Sequence, residues 1–523
     1  SARMNYRFVV RQLGLLLVVM SMALAATMIY ELILVWGGKA DAGEGAAARA
    51  LGISTSLGAF IGGAVWFFTR KHDKDWALAR REALLLVASS WVLGAALAAL
   101  PFYIWGQIGD TAVNHPFRTF TGCYFEAMSG LTTTGATVLG SDHCRIADLP
   151  KGLLLWRSTT HWLGGLGIVV LFVAVLPMVG TAGKKMFSVE STADKGGVRP
   201  RITETARVLW LIYLGLTVAC ILLLQATGEM TWFESVNHAF SVLATGGLST
   251  HDASIGGFDS IAVDLILITF MILAGVNFVL YFHLSQRRWK LILEDVELRI
   301  FLILKLVVAV IITINLIGVP YTTTAGTEVQ GGFFTSLRYG LFQTASLQTG
   351  TGFCTADYDA WPMLSVTLLM GLMLIGGSGG STAGGLKVFR FWILLKVLFA
   401  ALERAFRPNV VRPIKIGKNT IEEETKLSAI VYFALLIIGT ALGTMLTLLF
   451  EQGHSNCDVQ TAASASYASL CNVGPGLHRV GATQNYGWMQ PPTLWVQSAL
   501  MCLGRLEFYA LLVLLVPRFW RGD

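Results

Sequence analysis

Charge is scarce in this sequence. Only 14% of its 523 residues are Asp, Glu, Lys or Arg, against about 25% in a soluble globular chain. Hydrophobic residues make up 54%, and the mean hydropathy is +0.62. A soluble fold is excluded and an integral membrane protein is expected. The net charge of +7 at first suggests nucleic acid. Its basic residues cluster in alternate loops, however, so no nucleic-acid partner is expected. Cysteine is sparse too: the seven cysteines show no CxxC spacing, which argues against a metal or redox motif. Cys123, Cys144, Cys457 and Cys471 are expected on the outer side. A disulfide there stays open, and free thiols are the simpler expectation because no spacing demands bridging. There is no Gly-Lys-Ser/Thr phosphate loop and no dinucleotide fingerprint. No enzyme activity and no cofactor of the chain itself are expected.

What is abundant is long apolar runs. A membrane helix needs about 20 mainly apolar residues. Candidate spans are 9–36, 51–69, 83–105, 153–180, 206–227, 260–284, 298–320, 363–399, 427–451 and 491–517. The first is too long, and lacks the cleavage site, for a signal peptide, so it reads as a retained span. Four shorter stretches, Phe117–Leu131, Thr231–Ala244, Gly332–Gly350 and Val459–Cys471, cannot cross. Each precedes a short glycine-centred segment. The unit is span, half-helix, glycine loop, span, used four times. The expected fold is therefore all-α and membrane-integral, with four pseudo-repeats around one pore. They span 76–190, 191–292, 293–415 and 416–523, after a two-helix hairpin at 1–75.

Orientation follows from Lys and Arg in the short loops. Arg3, Arg7 and Arg11 precede the first span, and Arg70, Lys71, Lys74, Arg80 and Arg81 follow the second. Lys184, Lys185, Lys195, Arg199, Arg201 and Arg207 join the first two repeats. Arg287, Arg288, Lys290 and Arg299 join the next pair, and Arg404, Arg407, Arg412, Lys415, Lys418 and Lys426 the last. These fall on one side if every run crosses once. That side is expected to be cytoplasmic, with both termini on it. The glycine loops carry acids instead, such as Asp110, Asp142, Glu229, Asp252 and Asp357, and are expected to face outward.

The glycine segments are Thr134-Gly135-Ala136-Thr137, Thr245-Gly246-Gly247-Leu248-Ser249, Thr351-Gly352-Phe353-Cys354-Thr355 and Val473-Gly474-Pro475-Gly476. One copy alone reads as a helix C-cap followed by a turn. Four in register read as a filter. Irregular backbone at membrane depth is tolerated where it lines water. The C-terminus of each half-helix carries about half a negative charge, which favours a cation. Glycine opens dihedrals closed to other residues, and a ring of carbonyls replaces a hydration shell. The candidate ion-binding residues are Thr134, Gly135, Thr245, Gly246, Thr351, Gly352, Val473 and Gly474, with the threonines expected to buttress the carbonyls. The last quadrant is expected to differ in shape, because Asn472 and Val473 replace threonines and Pro475 follows the glycine.

The span at 363–399 is interrupted by Gly376, Gly377, Ser378, Gly379, Gly380, Ser381, Thr382, Ala383, Gly384 and Gly385. Each glycine costs a helix about 1 kcal/mol relative to alanine, so this one should unwind. A plain flexible break and a mobile loop beneath the filter are the two readings. A phosphate loop fails because Lys387 is displaced. Arg505 sits mid-span in the last run, where a bare arginine costs at least about 2.5–3.5 kcal/mol. It should face protein or a water-filled path. Its readings are a gating charge in the pore and a structural ion pair with Glu507.

These features together resemble the TrkH family within the Trk/Ktr/HKT superfamily of potassium transporters. Further matches are Trp162-Leu163-Gly164-Gly165-Leu166-Gly167-Ile168, Pro200-Arg201-Ile202-Thr203-Glu204-Thr205-Ala206 and Ala274-Gly275-Val276-Asn277-Phe278. The resemblance covers nearly the whole chain. It implies uptake of potassium, selected by four filter glycines; in related plant transporters a serine at the Gly135 position goes with sodium transport. It implies that Gly376–Gly385 is an intramembrane gate with the arginine beside it. It also implies a homodimer in lipid, in a bacterial cytoplasmic membrane, regulated by a cytoplasmic nucleotide-binding ring of TrkA type. The basic loops and the Arg404–Lys426 segment offer a docking face, although positive-inside orientation explains the same charges. Two other classes share some features: a broken-helix secondary transporter, and the potassium-binding subunit of an ATP-driven pump.

Overall fold

A computed structural model describes residues 4–38, 43–69, 80–140, 144–174, 202–408, 413–417, 419–454 and 457–521. Several residues used for orientation, among them Arg70, Lys71, Lys74, Lys184, Lys185, Lys195, Arg199, Arg201, Arg412 and Lys418, lie outside these, as do Arg3 and Asp142. So do Pro200 of the family motif and the repeat boundaries at 75 and 190. The architecture is all-α. Among the described residues each of the ten apolar runs is mainly helical, and all four half-helices form.

Tyr6–Trp36 and Glu44–Thr69 make the N-terminal hairpin. They pack closely because glycines face each other: a methyl built on Gly62 would lie 2.7 Å from the Gly14 carbonyl oxygen. Small residues at a helix crossing are the usual device where lipid supplies no hydrophobic drive between helices.

Each repeat then has an outer helix, a pore helix and an inner helix. The outer helices are Arg80–Ile108, Ile202–Ala226, Val296–Leu316 and Glu423–Glu451. Their far sides carry exposed leucine, isoleucine and methionine, including Leu211, Leu306 and Met445. The pore helices are Phe120–Leu131, Trp232–Leu243, Phe333–Thr349 and Val459–Cys471. With 12 to 17 residues at 1.5 Å each they are shorter than a bilayer core of about 30 Å. Three of the four starts are fixed by side-chain caps. Thr119 accepts from the Gly122 N–H at 3.2 Å and Asp458 from the Thr461 N–H at 2.8 Å. Thr231 and Glu234 form a reciprocal capping box.

The second and fourth inner helices depart from the expectation of single continuous spans, while the third is interrupted as expected. The first is unbroken over Lys151–Ala174. The second is split into Ile261–Gly275 and Phe278–Ser285, bent by 93°, and the fourth bends by 113° after Pro491–Arg505. The third separates into Met363–Leu374 and Val388–Phe406. The breaks have local causes. Asn277 accepts from the Val279 N–H at 2.9 Å and starts a new helix. Glu507 and Phe508 sit at φ of 54° and 64°, a region that ends a right-handed helix.

Among the described residues no disulfide joins the cysteines. Cys471 ends the fourth pore helix and is buried.

Candidate ion pathway

The four pore helices end in one shared backbone pattern. In each, an N–H donates five residues back at 2.9 Å: Thr134 to Ser129, Gly246 to Ser241, Thr351 to Ser346 and Val473 to Ala468. The residue before each donor is left-handed: Thr133 at φ 53°, Thr245 at 55°, Gly350 at 72° and Asn472 at 54°. The residue after each is a left-handed glycine: Gly135 at 81°, Gly247 at 80°, Gly352 at 78° and Gly474 at 94°. A β-branched residue at positive φ is a rare, strained conformation, and two of the four copies hold a threonine in it.

This geometry shifts the second copy by one residue from the expected alignment. The partner of Gly135 is Gly247, not Gly246, and Thr245 corresponds to Thr133. Gly246 takes the place held by Thr134. Two adjacent glycines after a threonine made the slip invisible to a Thr-Gly pattern, and only the dihedrals separate them.

The loops interlock in a closed cycle. A side chain on Gly135 would overlap the carbonyl oxygen of Gly246. One on Gly247 would overlap that of Thr351, and one on Gly352 that of Val473. One on Gly474 would stand 2.6 Å from that of Thr134. Each loop thus touches the next in chain order, and the fourth returns to the first. The same four glycines line one cavity.

The threonines hydrogen-bond to each other rather than to filter carbonyls of their neighbours. The Thr134 hydroxyl pairs with Thr132 at 2.8 Å and Thr351 with Thr349 at 2.7 Å, while Thr245 donates to Ala244 at 2.6 Å. Asn472 in the divergent fourth copy donates to Thr134 at 3.0 Å and to the Met501 carbonyl at 2.9 Å. His161 adds a link: Nδ1 lies 2.7 Å from the Gly130 carbonyl, and Nε2 accepts from the Leu248 N–H at 3.3 Å. Nearer the outer surface, the His251 ring binds Glu234 at 2.7 Å. That bond is the main reason the Glu234 carboxyl is held down at about 2.

Beneath the ring lies the segment Gly376–Gly385. It is not a loose break. Gly376 N–H donates to Leu386 at 2.9 Å and Leu386 N–H to Leu374 at 3.0 Å, closing the excursion at its base. Glu297 of the third outer helix accepts from Gly379 at 2.7 Å and from Phe389 at 3.1 Å. Ser378 N–H donates to Gly275, and Gly380 accepts from Phe278. The Thr382 hydroxyl reaches Leu243 at 3.1 Å, the last residue of the second pore helix. Gly384 abuts Cys471 and Asn472 of the fourth. Lys387 is drawn back to the Ala383 carbonyl, which is no phosphate-loop geometry.

Arg505 is buried against this segment. It donates to the Thr382 carbonyl at 2.7 Å and to Gly164 at 3.3 Å. It is not paired with Glu507, which binds Arg390 at 2.6 Å. The ion-pair reading of Arg505 with Glu507 is therefore replaced by a link between the third and first repeats. The fold also shows what stands at this position elsewhere. A side chain on Gly504 would overlap the Leu470 carbonyl, as one on Gly164 would overlap Leu131. Arg505 thus matches Gly165 of the first repeat.

A family model described as a cation transport protein, TrkH, matches residues 54–521. The chain belongs to the TrkH family. It is 36% identical over 525 residues to the Trk system potassium uptake protein TrkH of Salmonella typhimurium, with 99% of this chain and 100% of that one covered. It is 32% identical to Trk system potassium uptake protein TrkG of Escherichia coli, covering 88% of this chain and 90% of that one. A solved structure, the potassium transporter TrkH from Vibrio parahaemolyticus, aligns at a TM-score of 0.83 and 32% identity over 99% of this chain and 100% of that one. This is a family of membrane transport proteins, not of enzymes.

Proposed function

We propose that the chain takes up potassium across a bacterial cytoplasmic membrane through the ring of four glycine loops. The observation that carries this is the closed cycle Gly135–Gly246, Gly247–Thr351, Gly352–Val473 and Gly474–Thr134. Carbonyls held in a ring by neighbours in van der Waals contact replace a cation's water shell. Four pore-helix C-termini add partial negative charge on the same side. Relatives named for potassium uptake support the choice of ion. Potassium is the substrate, and the chain needs no cofactor of its own. Reconstitution in liposomes tests the reading. Potassium and rubidium flux well above sodium flux is expected, driven by an imposed membrane potential. Equal sodium flux would overturn it.

The rest of the reading is regulatory. Gly376–Gly385 gates the pore from below, with Arg505 as the charged element that holds it. The protein works as a homodimer in lipid with both termini cytoplasmic, and a TrkA-type nucleotide-binding ring docks on its basic loops. The contacts of Thr382 and Gly384 with pore-helix ends support a gate, since they tie the segment to the helices that carry the filter loops. Deleting Ser378–Ala383 is expected to raise basal potassium flux about tenfold or more, which corresponds to about 1.4 kcal/mol of barrier. Single-channel or liposome recordings without any cytoplasmic partner measure it. Wild-type flux from a well-folded deletion would make the segment a passive helix break.

A further inference from the structure

Behind the filter, three of the four repeats have a side chain positioned to hold the strand that leaves the ring outward. The shared register puts Glu126, His238, Gln343 and Ala465 at this site, three residues before Ser129, Ser241, Ser346 and Ala468. Their bonds differ. His238 Nε2 lies 2.9 Å from the Ser249 hydroxyl. Gln343 donates to the Ala356 carbonyl at 3.2 Å. Alanine makes no such bond, and the fourth loop is held instead by the hydroxyls of Tyr486 and Tyr358, which donate to Gly474 and Gly476 at 2.8 Å.

Only the first copy is charged. Glu126 accepts from the Thr137 hydroxyl at 2.9 Å and from the Val138 N–H at 3.1 Å. It is paired with Arg157 of the first inner helix at 2.7 Å and 2.8 Å. Arg157 also donates to Thr137 at 3.3 Å and crosses to the second loop, donating to the Ser249 carbonyl at 3.2 Å. Glu126 is 1% and Arg157 2% exposed. Arg157 nevertheless borders the cavity that the four ring glycines share, together with Asp252 and His251. A full positive charge therefore stands beside the cation's entry, cancelled by one carboxylate.

We infer that the Glu126–Arg157 pair sets the affinity of the outer mouth for potassium and locks the first and second loops in register. This rests on the filter reading above. Arg157 alone repels an entering cation and Glu126 alone attracts it, through surroundings that screen poorly. The pair adds no net charge to the mouth, while Glu126 accepts from Thr137 and Val138 and Arg157 donates to Thr137 and Ser249, which fixes both loops. Breaking a buried pair leaves the surviving charge uncompensated, so the two single exchanges act with opposite sign. A purely structural role would make both exchanges damaging in the same way.

The test is the concentration dependence of potassium uptake by the full chain. The variants are E126Q, R157Q, R157K and the double E126Q/R157Q. E126Q keeps an acceptor for Val138 and is expected to raise KM about three- to tenfold, with the maximal rate little changed. R157Q is expected to lower KM, and the double variant to return it toward wild type. R157K keeps the charge but not the bridge to Ser249, so it should hold KM and lose discrimination against sodium. Both single variants moving KM the same way, or a double variant no better than E126Q, overturns the inference. If R157Q is not recovered in the membrane, E126Q and the double variant decide it on the same criteria. A wild-type chain without saturable potassium uptake overturns the filter reading itself. Normal wild-type uptake with an unsplit KM overturns only the role of the pair.

Discussion

Gly247→Ser is expected to lower potassium-over-sodium selectivity at least about tenfold, and Gly135→Ser to do the same. Gly247 sits at φ 80° and Gly135 at 81°. A non-glycine residue in this region costs roughly 1–2 kcal/mol, and about 1.4 kcal/mol is already tenfold in an equilibrium. The new side chain also meets the Thr351 or Gly246 carbonyl oxygen of the next loop. That oxygen must rotate or retreat, and a ring of four cannot keep its spacing with one member displaced. Permeability ratios in liposomes are the readout. The control is Thr245→Ser, which keeps the hydroxyl bond to Ala244 and should leave the ratio near wild type. An unchanged ratio in well-folded Gly247→Ser would remove Gly247 from the ion path, and with it the register that the backbone assigns.

That register shows where sequence reading stops. The half-helices were legible because each is an apolar stretch too short to cross: Phe117–Leu131 is observed as Phe120–Leu131, and Val459–Cys471 to the residue. The repeats were legible because four similar loops recur between long spans. The choice between Gly246 and Gly247 was not, since both follow Thr245 and composition carries no dihedral. The bends in the second and fourth inner helices were hidden for a related reason. Hydropathy averages over a window, and one Asn277 or one Glu507 barely changes the average. Yet each redirects the chain by about a right angle. Arg505 was legible as costly in a membrane but not in its partners. Its acceptors, Thr382 and Gly164, are backbone carbonyls from two other repeats. Glu126 and Arg157 passed unnoticed, because their pairing depends on how a pore helix leans on an inner helix 31 residues away.

Arg505→Ala is expected to increase potassium flux about tenfold or more while leaving thermal stability nearly unchanged. Two effects point the same way. The guanidinium donates to the Thr382 carbonyl, so its loss frees the segment beneath the ring. On the gating reading it also removes a positive charge from the path, where repulsion at a few ångströms scales as about 332/(εr) kcal/mol. The stability side is set by what the truncation leaves behind. No carboxylate is orphaned, because Glu507 is bound to Arg390. Two carbonyls lose a donor, at about 1–3 kcal/mol for a buried group left unsatisfied. Against that, burying an arginine at bilayer depth costs at least about 2.5–3.5 kcal/mol, and the alanine chain no longer bears it. The two nearly cancel. Melting temperature and flux measured on one preparation separate the roles. A marked fall in melting temperature with no gain in flux would make Arg505 a packing residue. Combining the exchange with the Ser378–Ala383 deletion divides the gain further. If charge contributes beyond the tether, the double variant conducts more than the deletion alone; if Arg505 acts only by holding Thr382, the two conduct alike.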